Sequence, residues 1–202
     1  MFILSLDTSS ATLSVAVLDN EIVLSCQEKI MDRGHGEALI PMIDTVLKNA
    51  GIDISDINAV AVAVGPGSFT GVRVGLSTAR GIGLALNVPV YGVTNFEAVS
   101  YNLLQPVYVV LDSKRGDYFT QRFDANGQPS ENPKTQNAED LKAQLPFIAV
   151  GDGAEKLAQE INCSVLKNKI PCAVAIGKIA FNRQNHPLPP EPLYLRDADV
   201  TV

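Results

Sequence analysis

The sequence predicts an α/β protein with a duplicated, two-lobe fold whose second lobe is reduced. The first observation is a hairpin motif that occurs twice. Leu6-Asp7-Thr8 ends an apolar strand and opens a hairpin whose far strand ends at Asp19, and Leu111-Asp112-Ser113 opens another that ends at Asp124. The step between the two aspartates is the same in both copies, from position 7 to 19 and from 112 to 124.

The second observation is a glycine turn that also occurs twice and in the same order. Gly65-Pro66-Gly67 follows the apolar run at residues 59–64, and Gly151-Asp152-Gly153 follows another apolar strand. Both turns lead into a helical pattern, and two matches in the same order indicate an internal duplication. We expect a first lobe over residues 1–103 and a second, smaller lobe over residues 104–202.

Hydrophobic periodicity assigns the elements of the first lobe in order. The prediction is three strands at residues 2–6, 13–18 and 22–27, an apolar helix at 35–50, a buried strand at 59–64, a helix at 70–87 and a strand at 89–93. Thr94 then caps a short helix, with Glu97 at the capping-box position.

The second lobe follows the same outline with shorter elements. In place of a long helix it has a stretch rich in Pro and Asn at residues 127–137 and a brief helix at 139–145. A C-terminal helix near residues 172–185 and an extended, polyproline-like tail at 186–192 are assigned to this lobe.

The composition is that of a soluble globular protein, which we expect in the cytoplasm and which should be a poor binder of nucleic acid on its own. Hydrophobic residues make up 46% and charged residues 19%, and the apolar runs are far too short to span a bilayer. Cys26, Cys163 and Cys172 show no close pairing, so we expect reduced thiols. The formal net charge is −6. Because Lys and Arg dominate affinity for the phosphate backbone, a partner should hold any RNA.

The glycine turn at residues 65–71 has two open interpretations. A turn between a strand and a helix can present backbone N–H groups to phosphate at the positive end of the helix. Alternatively, the turn is structural and Ser68 or Thr70 caps the helix. The segment is not a P-loop, because no Lys-Ser or Lys-Thr follows its last glycine.

The helix after this turn carries small residues at intervals of four, namely Gly71, Gly75, Ala79 and Gly83. Such a ridge allows another backbone to approach closely, either that of a partner helix or that of the protein's own sheet. The helix at residues 35–50 is apolar over more than one narrow stripe. Two such helices side by side favour the interpretation that they leave a face for a partner.

Asp7 and Asp112 stand at matching positions, at the ends of the two first strands. Two tandem copies of strand–strand–strand–helix–strand–helix describe the actin-like ATPase (ribonuclease H-like) architecture, in which such acids flank a cleft and help hold a metal–nucleotide complex. A phosphate loop needs glycine, and residues 7–10 have none. The set therefore marks a remnant nucleotide cleft or satisfies turn backbones: Asp7, Thr8, Ser9, Asp112, Gly151 and Gly153.

His35 is the only histidine in the body of the chain. A helical metal site typically has a second ligand at position i+4. From His35 that position is Leu39, so we expect no metal site. No Gly-x-Ser-x-Gly motif or Cys–His pairing supports a hydrolase.

Several segments together resemble the TsaB (YeaZ) family. They are residues 3–9, 35–37 with 39–43, 64–76, 112–118 and 192–196, and the glycine segment with Phe69 and Arg73 is the most specific of them. The resemblance implies an actin-like fold that acts without catalysing a reaction itself. Its members pair with a metal-binding subunit, TsaD, which transfers a threonylcarbamoyl group to the adenosine next to the anticodon in tRNAs that read codons starting with A.

The resemblance also implies partners and an interface. A small ATPase, TsaE, completes the assembly, tRNA is bound only through the complex, and the free protein can form a homodimer through the same helices. No cofactor is implied beyond weak nucleotide binding at an interface of the complex. The interface residues expected on the two first-lobe helices are His35, Leu39, Met42, Ile43, Val46, Phe69, Gly71, Arg73, Gly75, Ala79 and Gly83.

Two enzyme classes remain as alternatives to this non-catalytic interpretation. The first is an actin-like ATPase or phosphotransferase that uses Asp7 and Asp112 around magnesium and ATP. The second is a metallopeptidase, suggested only by distant kinship to a family once described as glycoproteases.

Overall fold

The computed structural model describes residues 1–167 and 172–195, which form two compact units. The first unit contains residues 1–98 and 172–192, and the second contains residues 99–167 and 193–195. Arg196, the last residue of the near-terminal family segment, lies outside the described residues. In the described part of the chain, no helix is both long and apolar enough to cross a membrane.

The first unit is a five-stranded mixed sheet in the order β3-β2-β1-β4-β5 with helices on it. Its elements are β1 (Phe2–Asp7), β2 (Thr12–Asp19), β3 (Ile22–Ile30), α1 (His35–Ala50), a 3₁₀ turn (Ile54–Asp56), β4 (Ala59–Ala63), α2 (Phe69–Leu86), β5 (Val90–Val93), α3 (Asn95–Ser100) and the later helix α6 (Cys172–Asn182). Strands β1, β2 and β3 are antiparallel neighbours, whereas β1, β4 and β5 run parallel.

The second unit repeats this sheet in the order β8-β7-β6-β9-β10. Its elements are β6 (Val107–Asp112), β7 (Tyr118–Phe123), β8 (Lys134–Gln136), α4 (Ala138–Lys142), β9 (Ile148–Val150), α5 (Ala154–Ile161) and β10 (Ser164–Leu166). Numbered from the first strand of each unit, the two strand orders are identical. The predicted duplication is therefore confirmed, and the second copy is reduced because a five-residue helix replaces the sixteen-residue α1.

The C-terminal helix lies in the first unit, so its assignment to the second lobe was wrong. Helix α6 packs on β1 and β2, where the Ala173 N–H donates to Ser14 Oγ at 3.2 Å. A Cβ at Gly177 would lie only 2.5 Å from Leu18 Cδ1, so the helix approaches the sheet closely. The apolar face of α6 therefore completes the core of the first unit rather than that of the second.

The central strand β1 explains why a returning helix is needed. Successive side chains on a strand point to opposite faces. Thr8, just after β1, contacts α2, whereas Ser5 contacts α6 at Gly177. Strand β1 is buried on both faces because α1 and α2 cover one face of the sheet and α6 covers the other.

Most element types agree with the sequence, and the differences lie at ends and in short strands. Strand β3 extends to Ile30 rather than to residue 27, and α6 ends at Asn182 rather than at 185. Two three-residue strands were missed: β8 lies within the Pro- and Asn-rich stretch, and β10 follows Asn162. Strands this short carry too few residues for a period-2 pattern to show.

Candidate functional site

The small-residue ridge of α2 faces the protein's own sheet. Gly71, Gly75, Ala79 and Gly83 are all buried. Thr8 Oγ1 donates to the Gly71 carbonyl at 2.6 Å, and a Cβ at Gly75 would lie 2.6 Å from the same Oγ1. The prediction that this ridge admits a partner helix is therefore wrong, because the close approach it allows is made by the β1 end and by β5.

The apolar stripe of α1 is likewise part of the core. The side chains of Leu39, Met42, Ile43 and Val46 are buried against the sheet. They were predicted to contact a partner, but a buried side chain has no surface to offer. An apolar period of 3.6 identifies the buried face of a helix and does not say which surface buries it.

The outward faces of the two helices carry a different set of residues. Ile40 on α1 is 58% exposed, and Phe69 and Leu84 on α2 are 43% and 85% exposed. Arg73 is also exposed, and its guanidinium lies 3.7 Å from the centre of the Phe69 ring. Of the predicted residues on these helices, Phe69 and Arg73 are the two that lie fully on this outward surface.

Helices α1 and α2 are neighbours, and both contribute outward side chains. The Gly36 backbone lies next to Val74, whose methyl groups would be 3.9 Å from a Cβ at position 36. We call the outward side chains Ile40, Phe69, Arg73 and Leu84 the helix-pair surface. Leu84 was not predicted because it lies outside the four-residue spacing of the ridge. It could have been identified as a large apolar residue that does not lie on the buried face of α2.

His35 begins α1 and is directed toward the first loop of its own unit. Its Nε2 lies 3.0 Å from the Ser10 carbonyl oxygen, and the residue is half-buried. The side chain therefore connects the start of α1 to the loop after β1. Within residues 1–167 and 172–195, no group of three or more His, Cys, Asp or Glu side chains is arranged to hold a metal ion.

Asp7 ends β1 as a buried carboxylate that is bonded locally. Its Oδ1 accepts the Ser9 N–H at 2.8 Å and also the Ser9 hydroxyl. Burial raises the pKa of the Asp7 carboxyl, although hydrogen bonds from Ser9 and from the Cys172 thiol, together with the charge of His35, act in the opposite direction. Asp7 thus organises the turn between β1 and β2.

Asn95 joins this turn to the glycine turn and was not identified from the sequence. Its Nδ2 donates to Ser9 Oγ at 2.7 Å and to the Pro66 carbonyl at 2.9 Å. Thr94 and Glu97 form the predicted capping box around it, which is therefore confirmed. The sequence offered no signal for Asn95 beyond a polar residue directly after an apolar strand.

The glycine turn before α2 is structural. Ser68 Oγ accepts the Gly71 N–H at 3.2 Å, and the Ser68 N–H donates to the Ser9 carbonyl at 2.7 Å. A Cβ at Gly67 would overlap that same Ser9 carbonyl. The predicted Ser68 cap is confirmed, and the space beside Gly67 is filled by the loop of the protein's own chain.

Asp112 occupies the matching position in the second unit. Its Oδ1 accepts the Lys114 N–H at 2.8 Å, and its carboxylate pairs with the ammonium groups of Lys114 at 3.2 Å and Lys156 at 3.5 Å. Burial alone would raise the pKa of Asp112, but the bonds from Lys114 and the two charges outweigh it and lower that pKa. Gly153 packs so closely that a Cβ would lie 2.9 Å from the Asp112 nitrogen.

The two aspartates therefore make the same local bond. Each accepts the N–H two residues onward at 2.8 Å, Asp7 from Ser9 and Asp112 from Lys114. This is the bond that an aspartate forms when it stabilises a turn. Gly65 begins the first glycine turn with a φ of 99°, and Gly151 begins the second with a φ of 118°.

Two tandem α/β units with this strand order, each with an aspartate at the end of its first strand, define the class of actin-like ATPase-fold proteins. A solved activator of 2-hydroxyisocaproyl-CoA dehydratase from Clostridium difficile, with bound ADPNP, matches with a TM-score of 0.57 at 12% identity, over 92% of this chain and 96% of that one. A Pseudomonas aeruginosa structure, described as an uncharacterized protein with similarity to peptidase YeaZ, matches with a TM-score of 0.82 at 21% identity. It covers 96% of this chain and 99% of that chain.

Sequence comparison gives the family. A family model described as TsaD, tRNA N6-adenosine threonylcarbamoyltransferase, matches residues 27–186. The tRNA threonylcarbamoyladenosine biosynthesis protein TsaB of Buchnera aphidicola subsp. Schizaphis graminum is 30% identical to this chain, over 92% of it and 95% of the relative. The chain belongs to the TsaB (YeaZ) family, as the sequence motifs indicated.

Proposed function

We propose that this chain is a non-catalytic scaffold subunit in the biosynthesis of threonylcarbamoyladenosine on tRNA, and that it pairs with a TsaD-type metal-binding subunit. The observation that carries the proposal is the helix-pair surface. Ile40, Phe69 and Leu84 leave apolar area in water on two adjacent helices whose other faces are already buried. Exposed apolar area of this kind on adjacent elements is typical of a protein–protein contact.

The state of the two aspartates supports a role without catalysis. Asp7 is buried and bonded to Ser9, and Asp112 is paired with Lys114 and Lys156. Both carboxylates are therefore engaged by the protein's own groups. We propose that the chain requires no cofactor and that any nucleotide is bound weakly, at an interface of the complex.

The charge of the chain supports indirect contact with RNA. With 16 Lys and Arg against 22 Asp and Glu, the net charge is −6, and this disfavours binding to a phosphate backbone. We propose that tRNA is held through the complex, that a TsaE-type ATPase is a further partner, and that the free chain forms a cytoplasmic homodimer through the helix-pair surface. Because one surface would serve both pairings, the homodimer and the heterodimer would compete.

The proposal is tested by mixing this chain with its cognate TsaD-type subunit and measuring the mass of the complex by size-exclusion chromatography with light scattering. We expect a one-to-one complex at micromolar concentrations. The variants Ile40→Glu and Leu84→Glu should each weaken it by about tenfold or more, because a charge would be buried at the contact.

The matched control is Leu104→Glu in the second unit, where the wild-type side chain is 86% exposed. This variant should bind as the wild type does. Equal binding by all three variants would show that the helix-pair surface is not the contact. ATP hydrolysis by the chain alone that is lost in Asp7→Asn would instead establish the ATPase alternative.

A further inference from the structure

The edge of the first sheet formed by β5 is covered by the segment that follows α6. Strand β5 is the last strand in the order β3-β2-β1-β4-β5 and consists of Val90, Tyr91, Gly92 and Val93. An apolar edge strand presents free N–H and C=O groups that invite pairing with another chain. Residues 187–192, which we call the edge segment, return to this strand.

The edge segment contacts β5 through a single antiparallel bridge. The Gly92 N–H donates to the Leu188 carbonyl at 2.8 Å, in an antiparallel bridge. The guanidinium of Arg80, on α2, donates to the Pro190 carbonyl. Residues 188, 190 and 192 are half-buried while 187, 189 and 191 are exposed, so alternate residues of the segment face the first unit.

Gly92 is the position that permits this approach. A Cβ there would overlap the Pro189 carbonyl and lie 2.8 Å from Val64 Cγ1, so any other residue would push against both the edge segment and Val64. Before the segment, Arg183 forms an ion pair with Glu97 of α3, which fixes the chain as it leaves α6. Contacts on β5, α2 and α3 thus hold the segment in the first unit.

The composition of the edge segment prevents it from extending the sheet. Positions 187, 189, 190 and 192 are proline and have no N–H. The N–H of Glu191 is used within the segment, where it donates to the Pro189 carbonyl at 2.8 Å. The carbonyl groups of the segment therefore accept hydrogen bonds from β5 and α2. The segment has no row of N–H groups with which a further strand could pair.

We propose that the edge segment covers the β5 edge and so prevents this sheet from pairing with another chain at that edge. Gly92 and Arg80 are the residues that hold the edge segment in place. The inference does not rest on the proposed function, because its observations are the hydrogen bonds that the edge segment accepts from Gly92 and Arg80.

The test uses the full-length protein with Gly92→Ala and Arg80→Ala. The first variant would displace the segment by overlap; the second removes one hydrogen bond from an exposed side chain and leaves the core untouched. We expect the amide at position 92 to exchange with deuterium about tenfold faster or more in both variants. We also expect the mass measured by light scattering to rise with concentration above that of the wild type.

The matched control is Lys48→Ala, which removes an exposed cation from α1 without contacting the edge segment. It should leave both measurements at the wild-type values. Unchanged exchange at position 92 in both test variants would show that these residues do not hold the segment. Faster exchange with no increase in mass would show that the segment does not prevent pairing, and either result overturns the proposal.

Discussion

Thr8 and Gly71 join the end of β1 to the first turn of α2 by a hydrogen bond of 2.6 Å from Thr8 Oγ1 to the Gly71 carbonyl. A Cβ at Gly71 would overlap the carbonyl of Thr8 itself. This pair decides the function of the small-residue ridge. The glycines of α2 allow the helix to lie directly on its own sheet, and partner contacts are left to the opposite face.

Gly75→Ala should therefore destabilise the fold. Its Cβ would lie 2.6 Å from Thr8 Oγ1 and 3.4 Å from Val62 Cγ2, so either α2 shifts away from the sheet or Thr8 turns and loses its bond to the Gly71 carbonyl. We expect the free energy of unfolding in urea to fall by about 1–3 kcal/mol, as for other overpacked cores.

The control for this prediction is Gly81→Ala on the same helix. Nothing lies within 4 Å of a Cβ at Gly81. Alanine there should raise the free energy of unfolding by about 0.4–1 kcal/mol, since it reduces the freedom of the unfolded chain. Equal effects of the two substitutions would contradict the packing of α2 described above.

Asp7→Asn should change how stability depends on pH. Burial raises the pKa of Asp7 in the folded protein above the ordinary value of 3.8. The unfolded state therefore loses this proton first, and ionisation of Asp7 opposes folding as the pH rises from about 3.8 through the raised pKa. Relative to Asp7→Asn, the wild type should lose free energy of unfolding across this range, as measured in urea from pH 4 to pH 7.

Asp124→Asn is the control with the opposite sign. Asp124 accepts the N–H groups of Gln128 and Asn126, each at 2.9 Å, and these bonds lower its pKa. Its stabilising effect is present above pH 3.8 and is lost as the pH falls through the lowered value. If both variants showed the same pH trend against the wild type, the role of burial at Asp7 would be wrong.

Cys26 should react slowly with iodoacetamide. Burial and the neighbouring charge of Glu28 raise its pKa from 9.0 to about 11. This increase of about two units in the pKa lowers the thiolate fraction at pH 8 about a hundredfold, and the thiolate is the reactive form. The alkylation rate of the Cys26 peptide, followed by mass spectrometry, should be far below that of the same peptide in urea. Equal rates in the folded and unfolded protein would show an accessible thiolate.

Thr94→Ala should remove the cap of α3. Thr94 Oγ1 accepts the Glu97 N–H at 3.2 Å and donates to the Glu97 carboxylate at 2.8 Å. We expect a loss of about 1 kcal/mol in the free energy of unfolding, measured in urea. Thr45→Ala on α1 is the control, because its hydroxyl bonds only to the Pro41 carbonyl within an exposed helix surface. A similar loss in both variants would argue against a capping role for Thr94.

The local structure and the internal repetition follow from the order of residues along the chain. The apolar runs of β1 and β2, the 3.6-residue period of α1, the Ser68 cap and the capping box at Thr94 are short-range patterns, so the residues that specify them are close in the chain. The repeated aspartate and glycine motifs predicted two units with the same strand order, and the sheets confirm it.

Which surface each element packs against becomes visible only in the folded chain. The ridge of α2 could have faced a partner or a sheet, because four-residue spacing defines a face and not its neighbour. The position of α6 depended on contacts between residues far apart in sequence, such as Ala173 with Ser14 and Arg183 with Glu97. Asn95 and the edge segment were likewise hidden, because their partners, Ser9 and Gly92, are brought to them only when the chain folds.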